Sequence, residues 1–443
     1  MKNKKEKSDV PQLNLHDFLT MGQSLPLKQR AAFFYRYRQN LKMKKQDLYL
    51  RPILSAADRE VEVLDPYSGR LKKMLMFGSN NYLGFANHPY VLESIRKALR
   101  KFGAGIGGPP LLNGYTALHR QLEERLARLK HHDDALIFPT GYAANLGLVC
   151  ALGGENDRFI YDAYCHASFR DGIRLFGKQA QKFSHNNLEE LKQLLQERAA
   201  TSGDTFVAVE GVYSMDGDLA PLNEITELCR RFGATLIVDD AHGTGVLGQK
   251  GSGTAEHFVL SGAIDLDMGT FSKTFAVTGG FVAGDKELVH YLRFFARSYM
   301  FSASLPPTVI AAVIAGLDLL KSEPWRRQQL HANVAYVAAG LRQLGFDVQP
   351  QAAIIALRVP LGMNIRQAAF EFHRLGIFVN SVEYPAVPLN EQRFRISLMA
   401  THTKSDLDRL LEAVHQVWSK FGSGREAKPK SVSAGKSAEF FVG

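Results

Sequence analysis

The hydrophobic pattern of this chain changes period along its length. DALIFPT, DRFIYDA, TFVAVEG, ATLIVDD and DLDMGTF are short apolar runs of the length expected for buried strands. Between them lie helical patterns such as Leu118, Leu122, Leu126 and Leu129, which fall on one helix face. This alternation predicts a mostly parallel sheet covered by helices. Upstream, EVEVLDPYSGRLKKMLMF reads as a hairpin: Val61 and Val63 alternate with acids, a Pro/Ser/Gly turn follows, and a second apolar run returns. Near residue 325 the pattern changes again. A helical stretch from Trp325 to Leu344 leads into the short strands AAIIALRV and FRISLM, then a last helix from Ser405 to Phe421.

The expected fold class is therefore α/β, in four segments. A helical segment spans 1–60, a large sheet domain 61–325 and a smaller α+β domain 326–423. A Gly/Ser/Lys-rich tail, 424–443, has a composition that does not build a packed core. The length of 443 residues and a hydrophobic share of 45% suit a large domain plus a smaller one.

The net charge of +10 fits a basic surface with a lysine-rich start, MKNKKEK. It also fits attraction to an anionic partner such as a phosphate cofactor, coenzyme A or an acidic carrier protein. Nucleic acid is disfavoured, because no basic run is interleaved with aromatics in a known module. Three scattered cysteines, Cys150, Cys165 and Cys229, give neither a disulfide framework nor a metal site, and a cytoplasmic location follows most simply. The N-terminus has no apolar core of a secretory signal. The longest apolar stretch, Val309 to Leu317, falls well short of the ~20 residues a membrane span needs. Amphipathic residues Leu27 to Leu41 leave peripheral membrane contact open.

Gly103, Gly105 and Gly108 have the spacing of a dinucleotide-binding loop. A helical stretch precedes them and Pro109-Pro110 follows, which is the wrong setting for that loop. The informative residues lie at strand ends. Lys273, in GTFSKTFAVTGG, is a surface lysine or an amine among small residues, free to form an imine with an aldehyde cofactor. Asp239 ends the run LIVD, where a carboxylate needs a cap, an ion pair or a protonated pyridine as partner. His242 is placed to hydrogen-bond a phenolic oxygen. His166 is a loop histidine or a flat ring that stacks on a cofactor. Thr140, Gly141 and Tyr142 form a helix cap or a phosphate cup.

From about Gly78 to Thr403 the chain resembles the α-oxoamine synthases of the fold-type I pyridoxal-phosphate enzymes. The landmarks are GSNNYLGF, LLNGYTALHRQLE, PTGYAANLG, YCHAS, EGVYSMDGDLAPL, VDDAHGTGVLG, GTFSKTF, RSYMFSASLPP and YPAVP…RFRISL. The resemblance implies a mostly parallel seven-stranded sheet with a smaller C-terminal domain. It implies an acyltransferase that uses pyridoxal 5'-phosphate (PLP) to join a small α-amino acid to an acyl thioester (acyl-CoA or acyl-carrier protein) with loss of carbon dioxide.

It implies, too, that Lys273 holds the cofactor as a Schiff base and then serves as the base. Asp239 would hold the ring nitrogen protonated, His166 stack on the ring, and Ser214 and His242 contact the phenolic oxygen. Thr270, with the backbone of Gly141 and Tyr142, would bind the phosphate. Ser302 would reach the phosphate of the neighbouring subunit in a homodimer, and Asn80 and Arg395 would handle the substrate carboxylate. No metal is implied.

TFSKTFAVTGGF and RSYMFSASLPP resemble the serine palmitoyltransferase branch, and VDDAHGTGVLG and EGVYSMDGDLAPL the 8-amino-7-oxononanoate synthase branch. The expectation is serine with a long-chain acyl thioester. The alternatives are alanine with a pimeloyl thioester, a glycine-using member, and a non-catalytic partner subunit, which would have no need of Lys273. Pro109-Pro110 and Ala386 depart from residues common in relatives and leave substrate identity open. A charged acyl end would need a cation, for which Arg30 and Arg36 are candidates.

Overall fold

The computed structural model describes residues 17–18, 25–199, 202–384 and 386–422. The lysine-rich start, Pro385 in the YPAVP segment and the 424–443 tail lie outside the described residues. After a helix at Leu27–Met43, the predicted hairpin forms as β1 (Glu60–Leu64) and β2 (Leu71–Met76), paired antiparallel. Val61 and Val63 pack with Met74, Met76 and Met399, so the alternation seen in the sequence is the buried side of the hairpin.

The main sheet contains β3 (Asp134–Phe138), β4 (Arg158–Asp162), β5 (Ala180–Phe183), β6 (Thr205–Glu210), β7 (Thr235–Asp239), β8 (Leu266–Thr270) and β9 (Gly280–Gly284). Its order is β3-β9-β8-β7-β6-β4-β5, and only β9 runs against its neighbours. Successive residues of β6 feed opposite cores. Phe206 and Ala208 pack on one face with Leu136 and Ile237, and Val207 and Val209 on the other with Leu236 and Val238. A strand covered on both faces carries continuous apolar sequence, which is why these runs were readable. The last residues of β6, β7 and β8 are Glu210, Asp239 and Thr270, so three polar groups emerge side by side at the carboxyl edge. Ligand crevices of open α/β sheets form at this edge.

The C-terminal region adds β10 (Ile354–Arg358), β11 (Ile377–Phe378), β12 (Asn380–Val382) and β13 (Arg393–Ser397). β13 is the middle of the antiparallel order β10-β13-β12, and Arg395 faces Ala356 on one side and Asn380 on the other. β11 leaves this sheet and pairs parallel with β2. The last helix, Lys404–Phe421, buries Trp418 against Phe346, Phe372 and Phe394. Gly103, with φ 75°, ends the helix Pro89–Phe102. The glycine run thus follows a helix, and the dinucleotide reading fails.

Candidate active site

Eight of the sequence-predicted residues line one cavity of about 300 Å³: Gly141, Tyr142, His166, Ser214, Asp239, His242, Thr270 and Lys273. Each sits where a strand hands over to the next segment. Thr140 accepts a hydrogen bond from Ala143 N (3.0 Å) and caps the helix Gly141–Ala151. The first backbone bond of that helix runs from Ala144 N to Thr140 O, which leaves the earlier Gly141 and Tyr142 N–H groups at its positive end. Gly141 lets this helix start pack closely on β8: a Cβ would lie 3.1 Å from the Thr270 side chain. Thr270 Oγ1 donates to Gly279 O (2.8 Å) and lies 2.9 Å from Ser272 Oγ, so Ser272 joins this anion-binding corner.

Asp239 caps no helix and forms no ion pair among the described residues. Asn145 Nδ2 donates to its Oδ2 (2.8 Å) and Ala241 N to its Oδ1 (3.1 Å). Asn145 Nδ2 also reaches Ser168 Oγ (2.9 Å), and Ser168 Oγ lies 2.8 Å from His166 Nδ1. One chain of contacts therefore sets both the carboxylate and the imidazole. Burial pushes the His166 ring below its ordinary pKa, against the pull of Asp239.

His242 is buried and its pKa is driven well below the ordinary value by burial, then by the Lys273 and Arg395 charges, so it is neutral. Its Nδ1 lies 2.7 Å from Tyr82 Oη. The same hydroxyl donates to Asn80 Oδ1 (3.2 Å), so Tyr82 links His242 to Asn80. Arg395 donates from Nε to Ser214 O (2.6 Å) and from Nη1 to Asn80 Oδ1 (3.0 Å) and Ser397 Oγ (2.9 Å). Asn80 and Arg395 thus adjoin the cavity through Ser214 and Tyr82 without lining it. Ser302 lies outside the cavity, in the segment after the helix Arg297–Met300.

Lys273 makes no side-chain hydrogen bond or ion pair among the described residues. Burial lowers its amine pKa, partly offset by Asp239 and Glu210. Glu210, which sequence reasoning passed over, pairs in register with Asp239 and is 3% exposed. Its Oε2 accepts from Ser214 N (3.1 Å), while its Oε1 has no partner. Burial, then the Asp239 charge, raises its pKa well above its ordinary value.

This donor set fits pyridoxal 5'-phosphate: an amine for the aldehyde, a carboxylate for a ring nitrogen, a flat imidazole, and helix-terminal N–H groups with two hydroxyls for a phosphate. No cluster of metal-ligating side chains occurs among the described residues.

Fold and site together define a fold-type I PLP-dependent transferase. The profile of the family "Aminotransferase class I and II" matches residues 72–414. A serine palmitoyltransferase of Sphingobacterium spiritivorum is 39% identical over 396 residues, covering 88% of this chain and 96% of its own. An 8-amino-7-oxononanoate synthase of Geotalea daltonii is 42% identical over 357 residues, covering 79% and 90%. A 4-hydroxy-2,2'-bipyrrole-5-methanol synthase of a Serratia species is 38% identical over 383 residues; these cover 86% of this chain but only 58% of that longer protein. Among solved structures, Sphingomonas wittichii serine palmitoyltransferase superposes with a TM-score of 0.83 at 31% identity, covering 89% of this chain and 98% of its own. The chain belongs to the α-oxoamine synthases, PLP-dependent acyltransferases within that family.

Proposed function

We propose that this enzyme joins serine to a long-chain acyl thioester, releasing carbon dioxide and the free thiol. What carries the reading is a second cavity of about 370 Å³ that shares Ser214 with the first. One part of its wall, Tyr164, Met215, Tyr384, Ala386, Val387 and Pro388, is apolar and suited to an acyl chain, and the charged Arg170, Asp216, Glu391 and Arg393 complete the lining.

When bound, the protonated cofactor ring withdraws electron density from the amino acid's Cα and so eases proton loss there. Lys273 Nζ takes that Cα proton. Its lowered pKa favours the neutral amine that the step needs. Asp239 holds a proton on the ring nitrogen, fixed in place by Asn145. His242 and Ser214 contact the phenolic oxygen, His166 offers a flat face, and Gly141, Tyr142 and Thr270 the phosphate contacts. Arg395 and Asn80 orient the substrate carboxylate, Arg395 through Nη2, since Nε and Nη1 already donate to Ser214, Asn80 and Ser397. In this reading the working unit is a homodimer, with Ser302 reaching the neighbouring subunit's phosphate. The exposed side of the Leu27–Met43 helix, with Leu27 and Tyr35, supplies peripheral membrane contact.

One observation favours the alternative, alanine with a pimeloyl thioester. Arg170 lines the second cavity, is exposed, and has no ion pair among the described residues. A cation there suits a terminal carboxylate, and neither Arg30 nor Arg36 lines either cavity.

A thiol-release assay with serine, glycine or alanine against acyl-CoAs of graded length and pimeloyl-CoA separates the readings. Release should need both substrates, be fastest for serine with long chains, and vanish in Lys273→Ala. Fastest release with alanine and pimeloyl-CoA, lost selectively in Arg170→Ala, would replace serine by the alternative. Turnover by Lys273→Ala would remove the mechanism.

A further inference from the structure

A third cavity, of about 560 Å³, lies between the helices Ala117–Lys130 and Pro307–Ser322, and shares no lining residue with the two cavities above. Five of its lining residues are lysine or arginine, and none is aspartate or glutamate. Asp318, outside the lining, neutralises one of them, Arg125, at 2.5 Å. The other four have no counter-charge within ion-pair distance among the described residues. Arg128, Lys250 and Lys321 make no side-chain hydrogen bond or ion pair among the described residues.

Arg327 is only 5% exposed, and its terminal nitrogens donate to Leu320 O (2.8 Å) and Gln249 O (2.7 Å). It is thus a nearly buried guanidinium satisfied by carbonyls alone. Burial pushes its pKa down, with only partial relief from Glu256.

Gathering like charges in a concave wall with low-dielectric backing focuses the positive potential and works against the folded state. An anion in the cavity reverses that cost. Guanidinium forks and ammonium point charges together match phosphate oxygens. Leu317 and Leu320 supply an apolar floor for the carbon body that carries the phosphate.

We propose that this cavity is a second ligand site, separate from the cofactor's, which binds a phosphate group borne by an apolar or aromatic body. That chemistry comes from two sources, a soluble phosphorylated metabolite or a phospholipid headgroup. The site is independent of which amino acid the enzyme uses.

The test uses the holoenzyme, whose cofactor already fills the other phosphate cup. Inorganic pyrophosphate is titrated by calorimetry, and co-flotation is measured with phosphatidylcholine vesicles with and without phosphatidic acid. Arg128→Gln, Lys250→Gln and Lys321→Gln are combined, since all three side chains are exposed and carry no packing role. The wild type should bind pyrophosphate, or float only with phosphatidic acid. The first result indicates a soluble ligand and the second a headgroup. Affinity should fall about tenfold in the triple variant, as expected for loss of three exposed charge contacts, with cofactor absorbance and turnover unchanged. Single Lys321→Gln should give an intermediate loss. A wild type that binds neither probe, or a triple variant that binds as tightly as wild type, overturns the proposal.

Discussion

Replacing Lys130 by methionine should destabilise the enzyme severely although Lys130 touches no substrate. Its Nζ lies 2.5 Å from Asp240 Oδ2 and 3.6 Å from Asp267 Oδ1, and all three side chains are 2% exposed or less. Asp240 also accepts bonds from Thr244 Oγ1 (3.1 Å) and Thr254 N (3.2 Å), and so fastens the loop that begins at Asp239 and carries His242. Methionine fills the space of the lysine stem but leaves two buried carboxylates without their shared cation. Breaking a buried pair from one side costs roughly 3–5 kcal/mol.

The pH dependence has a definite sign. Burial already raises the Asp240 pKa despite Lys130, and without the ammonium it rises further. A carboxyl whose folded pKa lies above its unfolded value binds more protons when folded, so stability falls as pH rises. Urea unfolding of the holoenzyme should therefore show the loss in full at pH 7.5 and a smaller loss at pH 5.5. Adding Asp240→Asn should recover part of it. A loss under about 1 kcal/mol, within the range of an exposed pair, or a loss equal at both pH values, would refute the reasoning.

Asp239→Asn should cut turnover about a thousandfold, equivalent to ~4 kcal/mol of transition-state stabilisation, and steady-state kinetics with saturating cofactor will show it. Asn145→Ala leaves Asp239 and Ser168 each short of a donor. At roughly 1–3 kcal/mol, cofactor affinity measured by absorbance should be about 5- to 150-fold weaker. Burial opposes charge on His185, but hydrogen bonds to Asp162 and Asp218 prevail and raise its pKa to about 9. Its contribution to stability is full below about pH 6.5 and is lost as pH rises through 9; His185→Gln should flatten thermal melts over that window. Burial takes His402 the other way, down to about 4. Stability should therefore also drop as pH falls from about 6.5 toward 4, and His402→Gln melts across that acid range will check it.

Five strands of the main sheet were legible because both their faces are covered, so their sequence is largely apolar. β9 was not, because GFVAG begins and ends in glycine, residues read as turn. Its glycines are instead demanded by contact: a Cβ on Gly280 would lie 2.7 Å from Gly141 N. β5 was missed because only Phe183 of AQKF is buried, as suits an edge strand. In the site, residues at strand ends announced themselves through chemistry that is costly to bury. Asn145, Ser168 and Tyr82 did not. Their importance comes from partners 94, 23 and 160 positions away, and no local pattern encodes it. Glu210 carried a signal that went unused, since a carboxylate closing the all-buried run TFVAVE calls for a partner as much as Asp239 does.

The pairing of β2 with β11 joins Leu75 to Ile377. A ribosome adding roughly 5–20 residues per second needs on the order of 15–60 s to travel between them. For that interval the nascent hairpin presents a bare edge, a template for unwanted strand addition. Lys72 and Lys73 on β2 are suited to guard it, since charge along an open edge discourages self-association before the late strand arrives.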